Sequence, residues 1–166
     1  MCDSQVTVDL LNRQAACKQS NHKPLVNRGL HLQYSIVESG WKPFKDSGNF
    51  VEWRRREFNK TADHIANMAM KHRKFFSYRN DELIAAIKPG SANILLFSDG
   101  GSWEDDAIAS AAWVAYVLGG HWGEGDQDVH LIATEGIFID SRTTAFVAEM
   151  TAAESALYCV HTLTLS

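Results

Sequence analysis

The chain has 166 residues, 45% of them hydrophobic and 22% charged, enough for one domain around a single core. No run of about 18 apolar residues occurs, which excludes a membrane-spanning helix, and three cysteines, Cys2, Cys17 and Cys159, are too few and wrongly spaced for a disulfide scaffold or a zinc ribbon. The formal net charge of -4 conceals an asymmetry: residues 1–88 carry 15 Lys/Arg against 9 Asp/Glu, whereas residues 89–166 carry 11 Asp/Glu and Arg142 alone among strong bases.

Periodicity predicts a helix from Ser4 to about Ala16, with Val8, Leu11 and Ala15 on one stripe. A second helix, about His22 to Val37, repeats Leu25, Gly29, Leu32 and Ile36. Residues 39–48 read as a loop by composition, and Phe50–Arg54 as a short strand. A helix over Asn59–Lys71 should bury Ala62, Ile65, Ala66 and Ala69, and a short one over Asp81–Ile87 should stop at Pro89-Gly90. The second half turns to strands: Asn93–Ser98, a compact apolar run suited to a sheet centre, then Ala109–Leu118 and Asp128–Ile139, with Gly119–Gly125 as their hairpin connection. Thr144 to about Cys159 is the best helix, with Phe146, Met150, Ala153 and Leu157 on one face, and His161–Ser166 alternates like a final strand. The expected class is α/β. The opening residues 1–11 lack the basic start, apolar stretch and cleavage site of a secretory signal, so an intracellular, reduced protein without membrane contact is the expectation.

Four acidic residues stand at predicted element boundaries: Asp3 before the first helix, Asp63 in the first turns of the third, Asp99 at the end of the apolar strand, and Glu149 in Val147-Ala148-Glu149 beside the apolar stripe of the best helix. A carboxylate closing a buried strand is costly unless a cation or donor neutralises it, which makes Asp99 the sharpest candidate. Asp3 and Asp63 lie near helix N-termini, where the dipole favours acids in any case.

Taken together, these segments resemble ribonuclease H. The family's strand ending in Asp-Gly is matched by Phe97-Ser98-Asp99-Gly100-Gly101-Ser102, and its Ala-Glu helix by Ala148-Glu149. Its Asp-Ser helix start is matched by Asp3-Ser4, and its Arg-Glu-x-Asn-x-x-Ala-Asp signature by Arg56-Glu57-Phe58-Asn59-Lys60-Thr61-Ala62-Asp63. The resemblance covers nearly the whole chain except Lys71–Ala92. The family order of these motifs is rotated here, as in a circularly permuted ribonuclease H. The family's C-terminal half would occupy residues 1–70, a joining segment 71–92, and its N-terminal half 93–166. The resemblance implies a ribonuclease H-like fold with a mixed five-stranded sheet flanked by helices. His161–Ser166 would then lie beside the strand ending in Asp99. A monomer is expected, with an exchange of halves between two chains as the alternative.

The resemblance also implies an activity, hydrolysis of the RNA strand of RNA/DNA hybrids. Asp99, Glu149, Asp3 and Asp63 would be both the catalytic residues and the ligands of two Mg²⁺ ions, with Mn²⁺ as a substitute. Asp99 would bridge the ions, Glu149 and Asp3 would serve the leaving-group side, and Asp63 the water side. Substrate contacts are expected from Gly100, Gly101, Ser102, Arg142, Thr143, Thr144, Ser4, Asn12, Arg56 and Asn59, with Arg56, Glu57 or Asn59 assisting product release. Two departures stand out. Ala145-Phe146 replaces the asparagines many family members carry before Ala-Glu, and Trp53–Glu57 contains no histidine where bacterial members have one. A binding module without catalysis, and a nuclease of the same fold acting on another nucleic acid, are the competing expectations.

Overall fold

A computed structural model of the chain describes residues 59–87, 93–103, 107–118 and 129–165, together with Ser39, Lys42 and Asp46. In chain order these form helix α1 (Lys60–His72), strand β1 (Phe76–Arg79), helix α2 (Asp81–Ala86), strands β2 (Asn93–Trp103), β3 (Ile108–Leu118) and β4 (Val129–Ile139), and helix α3 (Ala145–Leu165). The strands make one antiparallel sheet in the order β1-β4-β3-β2.

The fold is α/β, with a helix on each face of the sheet. Successive strand residues point to opposite faces, and the two glycines of β2 identify the neighbours. A Cβ on Gly100 would run into α3 at Ala148 and Glu149, whereas a Cβ on Gly101 would meet the Met70 side chain of α1. The central strand β3 is apolar on both faces and buried along nearly its whole length. Its alanines, Ala109, Ala111, Ala112 and Ala115, let both helices pack close to the sheet.

Helix α1 buries Ala62, Ala66, Ala69 and Met70, which recur at helical spacing. It packs over β2, β3 and β4, and its crossing of β4 relies on Gly136, where a Cβ would come within 2.8 Å of Ile65 Cγ2. Lys71 and His72 in its last turn suit the helix dipole. On the other face, Trp113, Ala115 and Val117 of β3, Ala133 of β4 and Ala156 of α3 form a core that also takes in Ile132 and Ile84. A bulge between Ala115 and Tyr116, opposite Ala133 and Leu131, gives β4 one extra residue, Ile132, which is fully buried.

Several expectations change. The alternating residues His161 to Leu165 are helical and continue α3. Nothing between Cys159 and Leu165 breaks a helix, and Thr162 Oγ1 donates back to the Cys159 carbonyl at 2.7 Å. The final strand is therefore absent, and so is its pairing beside Asp99. Strand β2 does not stop at Ser98 but runs to Trp103, each residue facing one of β3. Ser39, Lys42 and Asp46 are helical and exposed, against the loop expected over 39–48. The joining segment contains β1, which pairs with β4 from Phe76↔Gly136 to Arg79↔Ala133. The predicted helices over 4–16 and 22–37, the strand 50–54 and the hairpin 119–125 lie outside the described residues. Among those described, the sheet has four strands rather than five and no parallel pair.

Candidate functional site

The site begins at β2. Asp99 is buried at 7% exposure and is paired with Ala112 in the ladder, so it sits within the strand and not at its end. By alternation it shares with Gly101 the face covered by α1.

Gly100 brings the second acid near. A Cβ here would lie 2.6 Å from the Ala148 carbonyl oxygen, and closer still to the Ala148 carbonyl carbon and Glu149 nitrogen. Only a residue without a side chain lets α3 come down so far. The Asp99 Cα is therefore within roughly 8 Å of the Glu149 backbone nitrogen, one Cα–Cα step beyond Gly100. Thr144 fixes where α3 starts: its Oγ1 accepts from the Val147 N–H at 3.3 Å and its carbonyl from the Ala148 N–H at 3.1 Å. A polar bracket further along holds the helix in place. Trp113 Nε1 of β3 donates to Glu135 Oε2 of β4 and to Ser155 Oγ of α3, both at 3.0 Å, and Ser155 Oγ donates to the same carboxylate.

Asn59 brings the third. It precedes α1, is 1% exposed, and donates from Nδ2 to the carbonyl of Ser98, the residue before Asp99, at 2.9 Å. Its own carbonyl accepts the Asp63 N–H at 3.1 Å, so Asp63 stands one helical turn from the point where α1 is fastened to β2. The expected role of Asn59 in product release changes accordingly: it is an internal tie between helix and strand, too buried to touch a duplex. Its Oδ1 and the Oγ of Ser110 are buried without a hydrogen-bond partner.

Asp63 and Asp99 thus approach from one face of the sheet, and Glu149 comes from the helix on the other. Among the described residues, no three His, Cys, Asp or Glu side chains gather closely enough to hold a metal ion. The two faces meet beyond the outer edge of β2, which has no partner strand among the described residues. Asp3, the fourth expected acid, lies outside them, as do Ser4, Asn12 and Arg56.

The remaining expected substrate contacts fall into two groups. Gly100, Gly101 and Ser102 lie in the β2–β3 ladder, opposite Ala111, Ser110 and Ala109, with Gly100 covered by α3. Arg142 and Thr144 are exposed and Thr143 half-buried, in the link between β4 and α3; the Thr144 hydroxyl already serves as the helix cap. Sequence reasoning missed the Trp113–Glu135–Ser155 bracket. A tryptophan and a glutamate at mirrored places in adjacent strands were the available signal, but their register emerges only when the strands pair.

No family model, no curated protein and no solved structure matches this chain. No helix among the described residues is long and apolar enough to cross a membrane.

Proposed function

We propose that the chain is a metal-dependent nuclease that hydrolyses the RNA strand of RNA/DNA hybrids, with a rotated order of ribonuclease H motifs. The observation that carries this reading is the junction at Gly100 and Asn59. The Asp-Gly, Ala-Glu and Asn-x-x-x-Asp motifs are remote in sequence, yet they meet at one stretch of β2, with Glu149 drawn in by Gly100 and Asp63 by the Asn59–Ser98 bond. The donor set suits a hard divalent cation such as Mg²⁺ or Mn²⁺, because Asp99, Glu149, Asp63 and Asp3 offer only oxygen. Such ions, when bound, activate water and stabilise the leaving oxygen in phosphoryl transfer.

In this reading the chain's own residues position and discriminate. Asp99 is held in place by the β2–β3 ladder, while Glu149 would approach from α3 and Asp63 from the first turns of α1. Arg142 and Thr143, exposed and half-buried before α3, would meet the 2′-hydroxyls and phosphates of the minor groove. A fifth strand of a ribonuclease H-like sheet would come from outside the described residues, on the open edge of β2.

A second reading, a hybrid-binding module without catalysis, is favoured by one feature. Asp99 and Glu149 start from opposite faces, and no three acids are gathered among the described residues. One assay separates the two: cleavage of an end-labelled RNA/DNA duplex with Mg²⁺, Mn²⁺ or chelator. Ion-dependent cleavage lost in Asp99→Asn supports the nuclease; hybrid binding without cleavage under any ion supports the module.

A further inference from the structure

Helix α3 meets the sheet through side chains too small to lock it. Ala148, Ala152 and Ala156 recur at every fourth position and are all buried. Gly100 faces α3, so alternation turns its ladder partner Ala111, and with it Ala109, Trp113 and Ala115, to the same helix. The larger buried residues Met150 and Leu157 lie roughly opposite this stripe on the helix. Alanine against alanine allows close approach but lacks the interlocking of larger side chains that enforces one register. Sliding or rolling of α3 is therefore weakly opposed unless a directional contact holds it.

Ser155 supplies that contact. It lies about two turns beyond Ala148 on the same side of α3, roughly 10 Å along the axis. Trp113 Nε1 donates to Ser155 Oγ at 3.0 Å, and Ser155 Oγ donates in turn to Glu135 Oε2. Trp113 also donates to that carboxylate oxygen at 3.0 Å, so the three side chains close a triangle over β3, β4 and α3. Two points then define the helix: Ala148 against Gly100 of β2, and Ser155 in the triangle. Glu149 is the chain neighbour of the first point, so a slide or roll released at the second displaces it.

We propose that Ser155 is a positioning residue for Glu149, fixing from two turns away how that carboxylate meets a divalent ion. The inference rests on the reading of Glu149 as an ion ligand. Ser155 itself touches neither ion nor substrate; it acts through the axis of α3. A misplacement of about 1 Å at a reacting group costs about a hundredfold in rate, so a fraction of that at Glu149 is worth about tenfold. The hydroxyl matters less to folding. Without it Trp113 and Glu135 still bond to each other, and alanine is the better helix former.

The test compares Ser155→Ala and Ser155→Thr with wild type in the full chain. The Tm of Ser155→Ala should stay within about 3 °C of wild type. Its affinity for Mn²⁺, read by paramagnetic resonance without substrate, should fall about tenfold. Its kcat on an RNA/DNA duplex, measured well below Tm, should fall about tenfold at unchanged KM. Ser155→Thr keeps a hydroxyl on the same carbon and should restore both. Glu135→Gln keeps the shape of the acceptor without its charge and should move both readouts the same way by less. Wild-type affinity and kcat in Ser155→Ala overturn the proposal, as does a threonine variant as impaired as the alanine one. A kcat loss seen only where the variant unfolds overturns it too. A wild-type chain that binds Mn²⁺ but cleaves no hybrid refutes the nuclease, and the affinity contrast then decides the positioning role. Cleavage by wild type and Ser155→Ala alike refutes the positioning role and leaves the nuclease standing, whereas a wild-type chain that binds no Mn²⁺ refutes both.

Discussion

Adjacent glycines in β2 should respond oppositely to the same substitution. In Gly100→Ala the new methyl would sit 2.6 Å from the Ala148 carbonyl oxygen and closer to two further backbone atoms of α3. A separation of about 3.4 Å or more is ordinary, so helix and strand must part by about 1 Å. Both sides of the clash are backbone, so no rotamer change relieves it. The cost belongs at the upper end of the overpacking range, about 3 kcal/mol, or a fall in Tm of roughly 6–12 °C for a domain of this size. In Gly101→Ala the nearest atom is Met70 Cε at 4.0 Å, an ordinary contact at the end of a flexible side chain. Removing a glycine from a strand interior then gains about 0.5–1 kcal/mol. Thermal unfolding of both variants beside wild type measures the contrast. If the chain cleaves hybrid, Gly100→Ala should also lose activity by about a hundredfold, because Glu149 is displaced by about 1 Å, while Gly101→Ala keeps it. Equal stability of the two variants would falsify the close approach of α3 to β2 at Gly100.

Asn59→Ala removes a buried donor and strands the Ser98 carbonyl, so urea unfolding should show a loss of about 1–3 kcal/mol; an unchanged midpoint would mean that α1 is held to β2 by packing alone. Ala107, before β3, has φ 51°, and Ala107→Gly should relieve about 1 kcal/mol of left-handed strain, with no gain in Tm counting against that conformation. Burial pushes the Cys159 thiol up, Glu135 adds to the rise, and Arg79 opposes it. Thiolate is the reactive form, so below the raised value Cys159 should be alkylated more slowly in the folded chain than in urea at the same pH, as peptide mapping would show. A folded rate equal to the unfolded one refutes that burial.

Elements with a strong local signal were legible in the chain alone. The alanine and isoleucine stripe placed a helix over 59–71, and the structure has it at Lys60–His72. Pro89-Gly90 set a limit to the short helix found at Asp81–Ala86, and the apolar runs of β3 and β4 were legible to within a residue. In each case periodicity, caps and breakers act over a few neighbouring residues and survive any tertiary arrangement. The acids Asp63, Asp99 and Glu149 could be singled out for a similar reason, since motif spacing is a property of the chain.

Features that depend on partners remote in sequence emerged only with the fold. Phe76–Arg79 is a strand because β4 offers it an edge, and β2 runs past Asp99 because β3 continues opposite it. His161–Leu165 carries an alternation that either state could use, and the helix already running from Ala145 continues through it. Asn59 became an internal tie because α1 lies against Ser98. Gly100 and Gly101 are identical as letters, yet strand alternation turns one toward the backbone of α3 and the other toward the tip of Met70. That same alternation sets Asp99 and Glu149 on opposite sides of the sheet. Which face a residue takes is fixed by strand pairing and helix packing, and no local stretch of sequence contains either.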